Sequence, residues 1–514
     1  MQTNVLEFFL TGALRRCPAK TAIIDGDVRI SFAELDRRSR NLAAAILARA
    51  GALNEPVAVY LPKSADVVIA NVAILYVGGI YMNLDTKIPP LRLKNILDHI
   101  GPKLVVTSRA RAADLQDASA GLTQSQIIYV DEIADQDVGQ EADVAPSPFR
   151  QRIDTDPVCI INTSGSTGTP KGVVLNHRGV IDFMNWVFEE FRFDESTRIG
   201  SLSPFYFDIY VLELIACLAK GATLVIIPDK LPIFPAKLME FVAAENIDFL
   251  FWVPSIMVNI ANLGLLEKVP LPALRTVFFA GEVFPTRHLN MWRRALKDAV
   301  FVNLYGPIEI HVDCTYHVVK GDLADDQPLP IGRPCRNTDI LILNEADQLC
   351  AADEQGELCV RGSSLCGGYW NDPEKTARVF VQNPLNTRYP ELIYRTGDLA
   401  VCRADGLIYL AGRKDYQIKH MGYRIELPEI EHQVLGIPGI DNACVVYDDP
   451  KKAITLFYQS SGGDVSKTTI RQALAEIFPK YMLPTAYHAM ERLPMNANGK
   501  IDRNGLVLML AENG

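Results

Sequence analysis

The sequence predicts an α/β protein: a large N-terminal domain of sheets covered by helices, with a small antiparallel β unit, followed by a small α+β C-terminal domain. Up to Pro330, short apolar runs alternate with helix-like segments, which is typical of parallel sheets covered on both faces. After Pro330 the pattern changes to short strands and turns, such as DILILN and GELCVRG. The 514 residues exceed what one core holds, so two or more domains are predicted.

The individual elements follow from local patterns. A capping box, Ser31 with Glu34, begins a predicted helix that Gly51 ends. Short apolar runs are typical of buried strands, and they fall at residues 57–61, 103–108, 126–131, 156–164 and 222–227. The chain after residue 431 has the pattern of a compact α+β unit.

Composition excludes several classes of protein. Apolar residues make up 48% and charged residues 22%, which is typical of a globular chain. The net charge of −10 argues against nucleic-acid binding, and the ten cysteines contain no C-x-x-C pair, which indicates a reducing compartment. The longest apolar stretches, near residues 70–84 and 210–227, are interrupted by glycine or charge, and the N-terminus lacks a signal-peptide pattern. We therefore expect a cytoplasmic protein with neither a nucleic-acid nor a membrane partner.

A loop rich in glycine and hydroxyl groups stands out in the sequence NTSGSTGTPKGVVLNH, residues 162–177. Its N–H, O–H and ammonium donors suit an anion such as a triphosphate. It is not a Walker loop, because Lys171 is followed by Gly172 and a strand-like run instead of Ser or Thr and a helix. From this loop alone, an ordinary glycine-rich turn is the favoured interpretation, and the later motifs are needed to decide.

Four later motifs follow this loop in order: NLYGPIEIHVD (303–313), YRTGDL (394–399), GRKDYQIKHMGYRIELPEIE (412–431) and NANGKIDR (496–503). Together they resemble the adenylate-forming superfamily of acyl-CoA synthetases, luciferases and adenylation domains of nonribosomal peptide synthetases. The most similar group is the stand-alone amino-acid–carrier protein ligases. The resemblance implies that ATP activates a carboxylate as an acyl-adenylate and that pyrophosphate is released.

The resemblance also implies an ATP site with Mg²⁺ as the metal. Lys500, Glu309, Thr163 and Lys171 would be the catalytic residues, with Glu309 holding Mg²⁺, a hard cation that prefers oxygen ligands. Lys500 would bridge the substrate carboxylate and the α-phosphate, Tyr305 would stack on adenine, and Asp398 with Arg413 would bind the ribose. The full predicted ATP-binding set is Thr163, Ser164, Gly165, Ser166, Thr167, Gly168, Lys171, Asn303, Tyr305, Gly306, Asp398, Arg413 and Lys500.

One residue departs from the family pattern. Ile308 stands where the family has a threonine whose hydroxyl contacts the α-phosphate. Loss of a preorganised donor of this kind costs ~10²–10³ in rate. An inactive nucleotide-binding scaffold therefore stays open as an alternative, as does a backbone N–H that replaces the hydroxyl.

The resemblance implies an amino-acid substrate. Asp208 would pair with the substrate α-ammonium, although an aspartate that caps the following helix is an open alternative. The side-chain pocket would be formed by Ile209, Leu212, Trp252, Phe278, Ala280, Leu304, Val312 and Asp313. This set resembles that of proline-activating enzymes, so L-proline is the predicted substrate. The role of Asp313 stays open, because it would face away, pair locally or bind a polar side chain.

The acceptor is predicted to be a separate phosphopantetheinylated carrier protein, since no carrier-type serine helix follows NANGKIDR. An acid–CoA ligase that uses free coenzyme A is the alternative. The resemblance further implies a mobile C-terminal domain: residues 1–413 would form the adenylation core and 414–514 an alternating domain. Asp415 would be the hinge, and Lys419 and Gly422 would lie on the face used for thiolation.

Overall fold

The computed structural model describes residues 2–50, 54–118, 123–133, 148–164, 170–460, 465–495 and 501–512. Its strands are, in chain order, β1 (Thr21–Asp25), β2 (Val28–Ser31), β3 (Pro56–Val59), β4 (Ile80–Asn83), β5 (Leu104–Thr107), β6 (Ile127–Tyr129), β7 (Pro157–Thr163), β8 (Lys171–Asn176), β9 (Arg198–Ser201), β10 (Thr223–Ile226), β11 (Phe249–Trp252), β12 (Thr276–Phe279), β13 (Val300–Tyr305), β14 (Thr315–Val318), β15 (Arg333–Pro334), β16 (Thr338–Leu343), β17 (Gln355–Gly362), β18 (Phe380–Gln382), β19 (Leu392–Cys402), β20 (Ile408–Arg413), β21 (Gln417–His420), β22 (Tyr423–Glu426), β23 (Asn442–Asp448), β24 (Ala453–Gln459) and β25 (Ala486–Ala489).

Its α-helices are, in chain order, α1 (Leu6–Thr11), α2 (Ala13–Arg16), α3 (Phe32–Ala50), α4 (Ala65–Tyr76), α5 (Pro90–Ile100), α6 (Ala112–Ala118), α7 (His177–Glu190), α8 (Ile209–Lys220), α9 (Pro235–Ala244), α10 (Pro254–Asn262), α11 (Leu265–Lys268), α12 (Thr286–Ala295), α13 (Pro373–Val379), α14 (Leu427–Leu435), α15 (Lys467–Ala475) and α16 (Arg503–Glu512). The strands predicted from apolar runs are confirmed within a few residues at each end.

Two large sheets are parallel along most of their width, as the strand–helix alternation predicts. The first has the order β15-β14-β13-β12-β11-β9-β10-β1-β2, and the second has the order β6-β5-β3-β4-β7-β8. Within the described strands, the antiparallel pairs of these sheets lie at their edges: β1 with β2, β13–β14–β15 and β7 with β8. Antiparallel edge strands are common on sheets of this kind.

Helices α4 and α8 are buried on all sides. Every residue of α4 from Val67 to Tyr76 is buried, and so is every residue of α8 from Ile209 to Ala219. A hydrogen bond from Asn71 Nδ2 to the Tyr210 hydroxyl, 3.1 Å long, joins the two helices. They are the apolar stretches already noted in the sequence. In the part of the chain that the structure describes, no helix has the length and apolarity that a membrane crossing requires.

The antiparallel unit predicted after Pro330 is confirmed. It has the strand order β16-β17-β19-β18, with β20 paired to β19. The register places Asp398 opposite Arg413 on β19 and β20. This pairing positions two of the predicted site residues side by side.

The C-terminal part has apolar cores of its own. One core contains Ile425, Ile430, Val445, Leu456 and Ile470, and a smaller one contains Cys444, Phe457 and Leu506. They are built on β23-β24-β25 and helices α14 to α16. The chain is therefore a mixed α/β protein with a large N-terminal domain and a small C-terminal domain, while the boundary at residues 413 and 414 stays a prediction.

The predicted capping box is half formed. The Glu34 backbone N–H donates to Ser31 Oγ at 3.1 Å, as the motif requires. The Glu34 side chain binds Arg37 and Arg38 instead, at 2.9 and 2.5 Å. These two guanidinium groups lower the pKa of Glu34 to about 2 against the opposing effect of its partial burial.

A glycine substitution tests the edge of the first sheet. Gly332 precedes β15 with φ +93°, and a Cβ at this position would overlap the carbonyl oxygen of Tyr316 on β14. We expect Gly332→Ala to lower the free energy of unfolding by about 1–2 kcal/mol for backbone strain and by a further ~1–3 kcal/mol for the overlap. Thermal unfolding of the purified variants measures this.

Gly26→Ala is the matched control, because Gly26 also has positive φ (+56°) but a Cβ there would meet nothing within 4 Å. It should show the strain cost alone. Equal losses of stability in the two variants would contradict the predicted overlap.

Candidate active site

A cavity of about 190 Å³ opens where several strands end. It is lined by Ser164 after β7, by Asp208 after β9 and by Gly281 and Gly306 after β12 and β13. The hairpin β21–β22 closes it from the C-terminal domain with Lys419 and Arg424, among others. Ligands of open α/β sheets bind at this edge, because the carboxyl ends of parallel strands meet there.

The glycine-rich loop contributes its two ends to this cavity. Thr163 and Ser164 lie at the end of β7, and Ser164 Oγ donates to the Arg424 carbonyl oxygen at 2.6 Å. The Thr163 hydroxyl is buried and has no hydrogen-bond partner among the residues described. Lys171 begins β8 and is buried. Gly165, Ser166, Thr167 and Gly168 lie outside the described residues, and so does Lys500.

Glu309 is the buried charge at the centre of the site. It lies in a 3-10 turn after β13 and is fully shielded from solvent. Oε1 accepts a hydrogen bond from the Tyr369 hydroxyl at 2.8 Å, and Oε2 accepts one from Arg424 Nη1 at 2.6 Å. Lys171 Nζ lies 3.5 Å from Oε1. Burial by itself raises the pKa of Glu309, but the charges of Arg424 and Lys171 outweigh it and lower that pKa to about 2.

The donor set fits a magnesium ion that is shared with a phosphate. No group of three or more His, Cys, Asp or Glu side chains forms a metal cluster in the described ranges. Mg²⁺ is commonly held by one or two carboxylates together with substrate phosphate oxygens. The ionised Glu309 beside Lys171 matches that requirement, since one oxygen would bind the cation while the ammonium meets the phosphate.

The predicted ribose and adenine residues form one hydrogen-bonded group. The Tyr305 hydroxyl donates to Asp398 Oδ2 at 2.5 Å, and Arg413 Nη1 donates to Asp398 Oδ1 at 2.7 Å. Arg413 Nε also donates to Asp415 Oδ1 at 2.6 Å. The structure therefore brings Tyr305, Asp398, Arg413 and the predicted hinge residue together. The side chain of Asn303 makes a different contact: its Nδ2 donates to the Pro330 carbonyl oxygen at 2.8 Å.

Asp208 lies at the N-terminus of α8 and on the cavity wall at the same time. Its Oδ1 accepts a hydrogen bond from the Ile209 N–H at 2.9 Å, so the helix-capping interpretation holds. It also lines the cavity, as the substrate interpretation requires. Burial raises the pKa of Asp208 to about 7, partly offset by backbone hydrogen bonds and by the Lys419 charge.

Seven of the eight predicted side-chain pocket residues fall in two apolar clusters, and none of the eight lines the cavity at Asp208. One apolar cluster contains Ile209, Leu212, Phe278, Ala280, Leu304 and Val312. Trp252 belongs to a different cluster, with Leu250 and Phe279, because successive strand residues point to opposite faces of the sheet. It lines a neighbouring cavity instead.

Asp313 is buried close to Asp208. Its Oδ2 has no hydrogen-bond partner among the described residues. Burial and the Asp208 charge raise the pKa of Asp313 well above its ordinary value, while the Lys419 charge acts in the opposite direction. Of the three roles left open by the sequence, local pairing through Oδ2 is not seen in the described residues.

The hairpin β21–β22 reaches into the site. Its two turn residues, Met421 and Gly422, have φ of 54° and 81°, which is typical of a two-residue hairpin turn. The Gly422 N–H donates to Glu282 Oε1 at 2.9 Å, and Lys419 Nζ lies 5.4 Å from the centre of the Tyr305 ring. Lys419 and Gly422 therefore lie in the candidate site, as the resemblance implies.

A second cavity, of about 590 Å³, adjoins the first. The wall between them is aromatic: Tyr423 stacks on Tyr481 with ring centres 3.5 Å apart, and Phe207 meets Tyr423 edge-on at 5.1 Å. Tyr206 and Asp85 also line both cavities.

Several residues of the site were not predicted. The Asn162 amide faces no partner among the described residues although it is buried at the cavity wall. Arg424 and Glu426 lie within the quoted GYRIE motif, but no role was predicted for either residue. Asp85 and Glu282 carry no sequence signal, because only the tertiary fold brings them to the hairpin.

The fold and this arrangement define an adenylate-forming enzyme as the class of protein. Residues 10–370 match the AMP-binding enzyme family, and residues 429–500 match the AMP-binding enzyme C-terminal domain. The chain therefore belongs to the AMP-binding enzyme family. The expected superfamily and the expected fold class are both confirmed.

Two curated relatives show how the chain compares in length. It is 33% identical to tyrocidine synthase 1 of Brevibacillus parabrevis, over 95% of this chain and 43% of that protein. It is 30% identical to zwittermicin A synthase ZmaJ of Bacillus cereus, over 96% of this chain and 93% of that one. The chain thus spans less than half of the first relative and nearly all of the second.

Solved structures show the same fold. An adenylation domain of Vibrio cholerae, AlmE, in complex with glycyl-adenosine-5′-phosphate, has a TM-score of 0.85 and 21% identity, with 100% of this chain and 98% of that chain covered. PA1221, a nonribosomal peptide synthetase protein containing adenylation and carrier (PCP) domains, has a TM-score of 0.81 and 25% identity, with 99% of this chain and 84% of that one covered.

Proposed function

We propose that this chain is an AMP-forming amino acid–carrier protein ligase. It activates an amino acid, L-proline foremost, as the aminoacyl-adenylate and transfers it to the phosphopantetheine thiol of a separate carrier protein. The single observation that carries the proposal is Asp208, a half-buried carboxylate on the wall of the cavity that Asp398 and Ile308, the neighbour of Glu309, also line. Two similar structures support it, because PA1221 is a nonribosomal peptide synthetase protein with adenylation and PCP domains and AlmE is in complex with glycyl-adenosine-5′-phosphate.

In the first half-reaction the substrate carboxylate attacks the α-phosphorus of ATP, and the bond to the β-phosphate oxygen breaks. Lys171 and the hydroxyls of Thr163 and Ser164, with the loop from Gly165 to Gly168, meet the β- and γ-phosphates. Mg²⁺, when bound at Glu309, would neutralise charge on the phosphate oxygens. Lys500 bridges the attacking carboxylate and the α-phosphate. Holding reactants in line and stabilising charge is most of what such a reaction needs from the protein.

The nucleoside is held by the group around Asp398. Arg413 and Tyr305 each donate to one Asp398 oxygen, which fixes that carboxylate for the ribose hydroxyls. Gly306 leaves no room for a Cβ, which would come within 2.8 Å of the Val312 carbonyl oxygen. Ile308 lines the cavity beside it and offers no hydroxyl. A backbone N–H would then be the remaining donor for the α-phosphate.

The amino acid would lie between Asp208 and the apolar cluster. A charge-assisted contact to the ammonium also relieves the cost of the buried Asp208 charge. Phe278, Ala280 and Leu304 are buried apolar residues, and an apolar environment of this kind suits the ring of proline. Asp313 adds a second carboxyl near Asp208, and burial together with the Asp208 charge raises its pKa, so a bound ammonium would favour ionisation of both carboxyls.

In the second half-reaction the carrier thiol attacks the adenylate carbonyl carbon. A C–S bond forms, the bond to the phosphate oxygen breaks, AMP leaves, and the thiol proton passes to solvent. The pantetheine arm would enter through the second cavity, and Tyr423 and Tyr481 would have to move apart to let it reach the first. Lys419 and Gly422 on the hairpin would face this step, and free coenzyme A is the competing acceptor.

Pyrophosphate release in the presence of ATP and each of a panel of carboxylic acids tests the proposal. We expect L-proline to give the highest rate and small aliphatic amino acids lower rates. Preference for a fatty or aryl acid over every amino acid would refute the amino-acid assignment, and no release with any acid would favour the inactive scaffold. Loading of a carrier protein against free coenzyme A identifies the acceptor.

Asp208 generates a pH prediction. Its carboxyl loses its charge as the pH falls below about 7, and a neutral carboxyl no longer attracts the substrate ammonium. We therefore expect the KM for the amino acid to rise by about tenfold from pH 8 to pH 6, as for a single protonation below its pKa. Asp208→Asn should have a high KM that is independent of pH. Pyrophosphate exchange measures the KM for the amino acid in the wild-type protein and in Asp208→Asn.

Asp248→Asn is the matched control for that series. Burial raises the pKa of Asp248 to about 6, but its Oδ1 accepts from the Arg198 N–H at the opposite ends of the strands. This variant should keep the wild-type dependence on pH. If Asp208→Asn also keeps the wild-type dependence of the KM on pH, Asp208 does not bind the ammonium.

The proposed division into residues 1–413 and 414–514 yields a hinge prediction at Asp415. Proline there would fix φ near −65° and oppose a large backbone change. We expect Asp415→Pro to spare pyrophosphate exchange and to slow loading of the carrier at least about tenfold, equivalent to ~1.4 kcal/mol in the barrier. Parallel assays of the two half-reactions measure this.

Asp415→Ala is the control, because it removes the same side-chain contacts to Arg413 and the Gln417 N–H without restricting φ. It should slow loading less than proline does. If the proline variant loses exchange and loading by the same factor, Asp415 is a turn residue and not the hinge.

A further inference from the structure

The hairpin β21–β22 places two opposite charges on the two groups predicted to bind the metal and the phosphates. Arg424 Nη1 lies 2.6 Å from Glu309 Oε2, and Glu426 Oε1 lies 3.8 Å from Lys171 Nζ. All four side chains are largely withdrawn from solvent. The cation of the hairpin therefore faces the carboxylate, and its anion faces the lysine.

This arrangement has the charge pattern of a metal–phosphate pair. In the proposed function, Glu309 would receive a divalent cation and Lys171 would receive phosphate oxygens. The guanidinium of Arg424 occupies the position beside Glu309 that the divalent cation would take. The carboxylate of Glu426 occupies the position near Lys171 that the phosphate oxygens would take. Gln417 Nε2 donates to Glu426 Oε1 at 2.5 Å and so orients that carboxylate within the hairpin.

Both oxygens of Glu309 are in contact with cations or donors while the hairpin is docked. Oε1 is bound by Tyr369 and lies near Lys171, and Oε2 is bound by Arg424. A buried carboxylate that loses a cation partner is strongly destabilised. A divalent cation at Glu309 Oε2 would lie next to the Arg424 guanidinium, and the repulsion between the two cations would disfavour their binding together.

We propose that Arg424 and Glu426 are positioning residues that replace Mg²⁺ and pyrophosphate at Glu309 and Lys171 after these have left. Docking of the hairpin and binding of magnesium pyrophosphate are then mutually exclusive. The C-terminal domain reaches its thiolation position only when the phosphate site is empty. This inference rests on the proposed roles of Glu309 and Lys171.

Other contacts hold the hairpin without touching the phosphate-site charges. The Gly422 N–H donates to Glu282 Oε1, and Glu282 Oε2 accepts from the Ser255 N–H, each at 2.9 Å. They provide a way to loosen the hairpin from outside the phosphate site. A variant at Glu282 would weaken docking of the hairpin without removing a charge next to Glu309.

The test measures magnesium pyrophosphate directly. Its affinity is determined by isothermal titration calorimetry, and amide hydrogen exchange reports on residues 417–426 with and without it. In the wild-type protein, saturating magnesium pyrophosphate should speed exchange across the hairpin. Arg424→Gln should speed exchange without any ligand and should bind magnesium pyrophosphate about tenfold tighter, as for removal of a competing state populated at about nine-tenths.

Glu282→Gln should also raise the affinity, because it loosens the hairpin while leaving Arg424 in place. Arg192→Gln, at an exposed residue paired with Asp194, should match the wild type. Unchanged or weaker affinity in both Arg424→Gln and Glu282→Gln would overturn the proposal. So would hairpin exchange that ignores magnesium pyrophosphate.

Failure of the proposed function is distinguishable from failure of this inference. A protein that releases pyrophosphate with an amino acid, but whose hairpin does not respond to magnesium pyrophosphate, retains the proposed function and loses this inference. A protein whose wild-type and variant forms bind no magnesium pyrophosphate loses both, since Glu309 and Lys171 would then not form the phosphate site.

Discussion

The charge of Glu309 is the constraint on which the rest of the site depends. A carboxylate with no exposure to solvent is ionised only if cations and hydrogen-bond donors surround it. Here they come from three distant parts of the chain: Lys171 on β8, Tyr369 in the antiparallel region and Arg424 on the hairpin. Each of these parts is thereby held against the same point, and the cavity forms between them.

The large domain supplies a rigid frame for this point. Buried helices α4 and α8 pack among the sheets, and α8 begins at Asp208. The position of Asp208 is therefore set by a helix that is buried along its length and not by a free loop. The pairing of Asp398 with Arg413 on β19 and β20 fixes the opposite side of the cavity in the same way.

The C-terminal domain meets this frame differently. Its apolar cores are its own, while several of its contacts to the large domain are polar, including the buried Arg92–Glu429 pair at 2.9 Å and the Arg424–Glu309 pair. A domain that keeps its own apolar core and contacts its neighbour through charged pairs exposes little apolar surface when the two separate. Separation therefore costs less free energy than it does for two units that share an apolar core. This division of contacts supports the proposed rotation, and it makes the occupant of Glu309 the natural point of control.

The sequence by itself determined the elements and their order, because helical and strand periods, caps and turn residues are local properties. The Ser31 cap, the parallel strands and the antiparallel unit after Pro330 were all readable from it, and so was the family through its ordered motifs, while the Glu34 half of the capping box was not formed. Only the tertiary structure placed Arg424 on Glu309, which lies 115 residues away. It alone also placed Trp252 on the opposite face of the sheet from Phe278. Such pairings depend on how separate elements pack, and no local pattern contains that information.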